Sequence, residues 1–180
     1  GFAEANPLRR VPVLVDGDAV IYETGAVLLW IADRFPALGA EPGTPARGEL
    51  YRWVTWTANT LHSAWWPLMA PRFLSADEDA APGIRAKGEE AMERHGAYLE
   101  SLLADREWCL GDRFSVADPY LYMLIGWQHY VEGYTLGGDA VQAYFRRVEA
   151  RPGIARAREL DDLRPDFIRN HPELRGGRPI

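Results

Sequence analysis

Apolar positions first appear along this chain as two short β-branched runs, Val11 to Val15 and Ala19 to Tyr22, on either side of Asp16-Gly17-Asp18. Asp-Gly between such runs predicts a tight hairpin, because both residues tolerate the positive φ of a two-residue turn. The period then changes. Glu23-Thr24 opens the run Gly25 to Phe35, a predicted helix stopped by Pro36, with Thr24 as its expected N-cap. The order is strand, turn, strand, helix. A hairpin with one helix is too little for a stable sheet domain, and Gly1 to Ala5 read as the tail of a loop.

Ala37 to Gly43 holds turn formers without periodicity and reads as a linker. Thr44-Pro45 then supplies an N-cap and first helical residue. The helix that follows carries an apolar stripe at Leu50, Trp53, Val54, Thr57, Leu61, Ala64, Trp65 and Leu68, with Pro67 expected to kink its end. Beside it runs a polar seam, Thr55, Asn59, His62 and Trp66, suited to a cleft wall, a subunit contact or a solvated flank. Ser75 to Pro82 reads as an acidic loop. Ile84 to Leu103 is the next helix, with Gly88, Met92, His95 and Leu99 along one face; His95 there is a core or interface histidine.

Phe114-Ser115-Val116-Ala117-Asp118 reads as a capping box. Ser115 is expected to accept from the Asp118 amide, the Asp118 carboxylate to reach back to the Ser115 amide, and Phe114 to staple onto Pro119 or its neighbours. The helix it opens, Tyr120 to Tyr130, is apolar on nearly all sides, as in the middle of a bundle. Asp139 is the expected cap of a helix running to Ala150 with Val141, Tyr144, Phe145 and Val148 inward. A short helix then runs from Pro152 to about Leu163, before an irregular tail from Arg164.

A net charge of −6 over 180 residues argues against nucleic acid and anionic membrane as main partners. No apolar run is long enough to span a bilayer. One cysteine, Cys109, excludes an internal disulfide framework and fits a reducing, cytoplasmic setting. It follows Trp108 without a base or metal motif, so it reads as a packing residue. Seven tryptophans and eight tyrosines suggest an aromatic-lined cleft. No phosphate loop or metal-ligand spacing is present.

The chemistry concentrates where the first helix begins. Helix-start amides lack partners inside the helix and lie at the positive end of its dipole, so they attract a carboxylate. Glu23 adds an anion that could hold an ammonium. Together they could grip an amino-acid group, although Glu-Thr before a helix also serves as a plain cap.

The order N-P-x-x-x-V-P-x-L (Asn6 to Leu14), a D-G hairpin, E-T and an apolar helix ending in F-P resembles the glutathione transferases. It is similar to the second half of their thioredoxin-like N-terminal domain. The resemblance implies a cis Val11-Pro12 bond and glutathione as co-substrate. Val11 would pair through its backbone with the cysteinyl part, with Pro12 and Arg10 beside it, while Glu23 and Thr24 bind the γ-glutamyl end. W-x-x-x-x-A-x-x-L-H (Trp53 to His62) is similar to the bacterial beta class, where a histidine here faces the glutathione thiol. That class often has a lysine next, and this chain has Ser63. The S/T-x-x-D box of Ser115 and Asp118 is structural in the family, and Tyr144 to Ala157 is similar to its C-terminal helices.

The implied architecture is a partial thioredoxin-like α/β domain followed by an all-α domain: residues 1–37, a linker at 38–43, and 44–180. The family's catalytic Ser, Tyr or Cys would lie upstream of Gly1, and the chain reads as a truncated copy, with His62 as an assisting residue. The implied activity is conjugation of the glutathione thiolate to a small electrophile by a cytoplasmic homodimer. Two alternatives stand beside it. One is a glutathione-dependent isomerase, dehalogenase or disulfide reductase on the same scaffold; the other is a non-catalytic transferase-like scaffold module.

Overall fold

The computed structural model describes residues 2–162; the tail from Arg164 lies outside them. Phe2–Ala5 forms a four-residue helix, α1, where a loop tail was expected, since Ala and Glu favour helix. The hairpin is β1 (Val13–Asp16) against β2 (Ala19–Tyr22), paired from Val13 with Tyr22 to Asp16 with Ala19. Pairing therefore runs through Asp16 and leaves Gly17-Asp18 as the loop. Of these two only Gly17 takes positive φ, at 61°. The first strand begins at Val13 rather than Val11; Pro12 has no N–H to give a ladder.

Asp16 at the hairpin tip is held from the next helix, α2 (Thr24–Arg34). Trp30 Nε1 donates to its carboxylate at 2.9 Å, and Arg34 Nη2 lies 2.9 Å from the same oxygen. The Arg34 guanidinium also sits 5.1 Å from the Trp30 ring centre, a cation–π contact that adds to an otherwise weak surface ion pair. The hairpin is thus clamped onto α2 at one end, while its other end delivers the chain to the start of α2.

Helix α3 (Pro45–Trp56) starts as read, with Thr44 Oγ1 accepting from the Arg47 amide at 3.3 Å. A π turn over Thr57–Leu61 then joins it to α4 (His62–Met69). Leu50, Trp53, Val54, Thr57, Leu61, Trp65 and Leu68 are all buried, so the predicted stripe is the core face. The next helix, α5 (Ala81–Leu103), begins before Ile84 because Pro82 occupies its first turn, where the missing N–H costs nothing. Gly88 lies against α4: a Cβ there would stand 2.6 Å from Pro67 Cβ, so only glycine lets the two helices approach this closely.

The central helix α6 spans Ala117–Gly126 and runs on as a 3-10 turn to Tyr130. At its start, Asp118 is fully buried and accepts four hydrogen bonds. The donors are the Ser115 amide at 2.7 Å, Ser115 Oγ at 3.1 Å, the Cys109 amide at 2.8 Å and the Tyr144 hydroxyl at 2.9 Å. The reach back to Ser115 matches the capping-box reading. The other half differs: Ser115 Oγ accepts from Ala117, at 3.3 Å, instead of from Asp118. Phe114 packs edge-on to Trp108 at 5.2 Å and under the Arg151 guanidinium. Cys109 is buried against Tyr144, and burial pushes its thiol well above its usual range, which fits a packing role.

Helices α7 (Asp139–Glu149) and α8 (Pro152–Asp162) close the bundle, and Val141, Tyr144, Phe145 and Val148 face inward as expected. The cap of α7 is not Asp139. Gly138 takes the N-cap position, and the carboxylate of Glu100, from α5, accepts from the amides of Gly138, Ala140 and Val141 at 2.9, 2.8 and 3.0 Å. Burial alone would raise the Glu100 pKa; the three amides outweigh it and lower it.

Replacing Ser115 by Ala should cost about 1 kcal/mol of unfolding free energy, and Asp118 by Ala about 3 kcal/mol or more, because buried donors lose their acceptor. Chemical denaturation measures both. Glu100→Ala should lose about 1 kcal/mol at neutral pH. Since the folded-state pKa of Glu100 is depressed, that advantage is present above its unfolded value and lost as pH falls through the folded one. The gap between wild type and variant should therefore close in acid.

Candidate functional site

The site begins with a buried asparagine. Asn6 is 2% exposed; its Oδ1 accepts from the Leu8 amide at 2.9 Å and its Nδ2 donates to the Arg10 carbonyl at 2.7 Å. This side chain winds Pro7 to Arg10 into a loop, with Arg9 at φ 54°, and delivers the chain to Val11-Pro12. That peptide bond is cis. Val11 is 70% exposed and Arg10 exposed as well. The ladder's last pair is Val13 with Tyr22, so Pro12 and Glu23 leave the hairpin at the same end.

Thr24 is the first helical residue, not the N-cap. Glu23 holds the cap position at φ 73° and ψ 121° without a side-chain hydrogen bond to the helix. That backbone is outside the allowed regions for an L-residue and costs of order 1–3 kcal/mol. What the strain achieves is an exposed carboxylate standing beside the helix start while leaving its first amides uncovered. The corner joins an anion to a patch of N–H donors at the positive end of a dipole. Such a pair can hold an ammonium and a carboxylate of one zwitterion.

The polar seam divides. Thr55 and Asn59 are exposed, whereas His62 and Trp66 are half-buried. The His62 ring stacks on Trp66 at 6.2 Å and meets the edge of Trp127 at 5.0 Å; Phe73 lies 6.5 Å from Trp66 on the other side. Burial lowers the His62 pKa, so the imidazole is neutral at neutral pH and can accept a proton. The π turn ends at this residue, whose amide donates to the Thr57 carbonyl, five residues back. Such turns insert one extra residue and re-aim the side chains beyond them.

Pro12 and Glu23 flank the paired Val13 and Tyr22 at the corner, with Arg10 and Val11 before and Thr24 after them in the chain, and His62 belongs to a separate aromatic group. Helix α6 joins the two. Tyr120, on its first turn, comes near Thr24 and Glu23; Trp127, at its far end, touches His62. Seven residues separate them, two helical turns on one face, about 10 Å along the axis. Met123 lies between and is 43% exposed. One stripe of this helix is therefore open, where an all-round apolar pattern suggested complete burial. Ser115 and Asp118 stay in the structural cage that fixes its start.

Sequence reasoning missed two contributors. Asn6 was legible in principle, as an Asx turn signal before proline. Tyr120 was hidden inside an apolar run.

Comparison with known proteins gives the family. Residues 1–43 match the glutathione S-transferase N-terminal domain, and residues 70–156 the C-terminal domain. A sphingomonad glutathione S-transferase, solved in complex with glutathione, is 32% identical; the alignment covers 90% of this chain and 79% of that one, with a TM-score of 0.74. A bacterial beta-class enzyme from Sphingomonas chungbukensis is 30% identical over 90% and 79% of the two chains, at a TM-score of 0.73. Glutathione S-transferase GstA of Escherichia coli O157:H7 is 28% identical over 162 residues, covering 88% of this chain and 77% of its own length. Both domain models match and a solved relative is 32% identical over 90% of this chain, which therefore belongs to the glutathione S-transferase family.

Proposed function

We propose that the protein binds glutathione at the hairpin corner and conjugates its thiolate to a small electrophile in the space between that corner and His62. The observation that carries this reading is Glu23: a strained backbone that exposes a carboxylate and serves no capping purpose. The γ-glutamyl ammonium pairs with Glu23, and its carboxylate takes the Thr24 hydroxyl and the open amides of α2. The exposed Val11 backbone receives the cysteinyl unit as an added strand would, with Pro12 fixing the bend and Arg10 alongside.

This direction of binding leads the thiol toward α6 and the His62 group. Neutral His62 can take the thiol proton, leaving the thiolate as nucleophile. Its sulfur forms a bond to the electrophilic carbon as the leaving group departs with the bonding pair. The walls offered by Trp66, Trp127 and Met123 favour an electrophile with an apolar body. The working unit is a homodimer, supported by the outward aromatic residues Tyr51 and Tyr98 on neighbouring helices α3 and α5.

A glutathione-affinity column tests the first step. Wild type should be retained and eluted by free glutathione, and Glu23→Ala should bind about tenfold more weakly; retention unchanged in the variant would remove the site. Glu23→Gly separates function from folding. It should bind as poorly as the alanine variant yet melt at the same temperature as wild type or higher, since glycine adopts this backbone freely. His62→Gln should lower kcat/KM by on the order of 10²-fold. Because burial lowers the His62 pKa, wild-type activity should decline only when pH drops below the ordinary imidazole range, and the variant should lack that limb.

A further inference from the structure

We propose that Arg72 sets specificity at the outer end of the aromatic wall, selecting electrophiles whose ring carries a carboxylate or similar acid. The inference rests on the reading of the space beside His62 as the electrophile site, and it names the substrate class that site takes. Two observations carry it. The first is a continuous run of rings. His62 stacks on Trp66 at 6.2 Å, Trp66 meets Phe73 at 6.5 Å, and the Arg72 guanidinium lies 5.1 Å from the Phe73 ring centre. The wall therefore begins at a proton acceptor and ends at a cation. Its outer end is also fixed. The Ala70 amide donates to the Trp66 carbonyl at 2.9 Å, and the Phe73 amide donates to the Ala70 carbonyl at 3.0 Å, closing the turn Pro71–Phe73. Arg72 thus rides on the same backbone that carries Trp66.

The second is that the cation has no anion. Among the described residues no carboxylate pairs with Arg72 and no acceptor takes its N–H groups; its contact is the face of Phe73. Phe73 itself is 52% exposed. A guanidinium laid on a ring keeps its edge for a planar acid, which it meets with two parallel hydrogen bonds. Net charge sharpens the point. At −6 overall the chain repels an anionic substrate at long range, so local pairing must supply any preference for one. A substrate ring lying along Trp66, its reacting carbon toward His62, turns the opposite substituent toward Arg72. At the His62 end the sulfur–carbon bond forms and the leaving group departs with the bonding pair. Arg72 takes no part in that step; it holds the far end.

The test is isothermal titration with two conjugates, S-(4-carboxy-2-nitrophenyl)glutathione and its carboxamide, which differ only in charge at the far end of the ring. Wild type should bind the acid about fivefold more tightly than the amide, the worth of a good solvent-exposed ion pair. Arg72→Ala should erase that preference and Arg72→Glu should reverse it. Arg72→Lys should keep part of it, because a point charge replaces the fork. High salt should shrink the wild-type preference, since the pair stands in water. The same order should appear in kcat/KM for 4-chloro-3-nitrobenzoate against 4-chloro-3-nitrobenzamide, where the thiolate displaces chloride.

Arg72 is exposed, so these substitutions leave the core intact. Equal wild-type affinity for the two conjugates, or a preference that survives Arg72→Ala, overturns the assignment and leaves the site beside His62 standing. A wild type that binds glutathione but neither conjugate overturns the reading of that site, and the role of Arg72 with it. Failure to bind glutathione as well removes the corner too.

Discussion

One carboxylate without water around it governs where the central helix begins. Asp118 has exchanged hydration for four donors drawn from three places: the Ser115 pair, the Cys109 amide and the Tyr144 hydroxyl of α7. Each hydrogen bond to a charged group is worth roughly 1.5–3 kcal/mol, and the unmade alternative costs more. The loop before α6, the first turn of α6 and the middle of α7 therefore cannot shift independently. Tyr120 and Trp127 inherit their positions from that lock. A ligand site assembled from two parts of the chain needs such a fixed ruler, and here α6 is the ruler.

The junction between the two parts is tied in the same spirit. Arg47 is 4% exposed, donates to the Ala40 carbonyl at 3.0 Å and pairs with Asp33 of α2. The Val116 amide donates to the Leu38 carbonyl at 2.9 Å, so the segment joining the two halves is pinned to the same loop that holds Ser115. The linker read from its turn formers is consequently short of freedom. Pro36–Leu38 is a 3-10 turn, and Gly39 and Ala40 are buried.

Local signals were the legible ones. Asp-Gly announced the hairpin, Thr44-Pro45 the start of α3, and the three-and-four spacing from Leu50 to Leu68 its buried face. The Asp118 carboxylate reaching to Ser115 was readable because both ends lie three residues apart. What escaped depends on distance along the chain. Glu100 caps α7 from about forty residues away, so Asp139 looked like the cap from nearby alone. Tyr120 comes near Thr24 from nearly a hundred positions away, and its apolar neighbours disguised it. The π turn of Thr57–Leu61 leaves no mark in a 3.6-residue pattern, because the stripe on either side of it stays apolar.

Glu23 lies between these two kinds of information. Its type and its place before a helix were visible, and they allowed two readings, a cap or a ligand site. Backbone geometry removes the first of them. A capping glutamate would turn its side chain to the helix amides and relax the chain into an extended conformation. Glu23 does neither, at φ 73°, and an unfavourable backbone persists only where surrounding structure enforces it. The enforcing element is nearby: the clamp of Asp16 by Trp30 and Arg34 fixes the hairpin against α2. With strand and helix both held, the single residue between them must absorb the mismatch. The strain is therefore a consequence of how the corner is gripped, and the exposed carboxylate is its product.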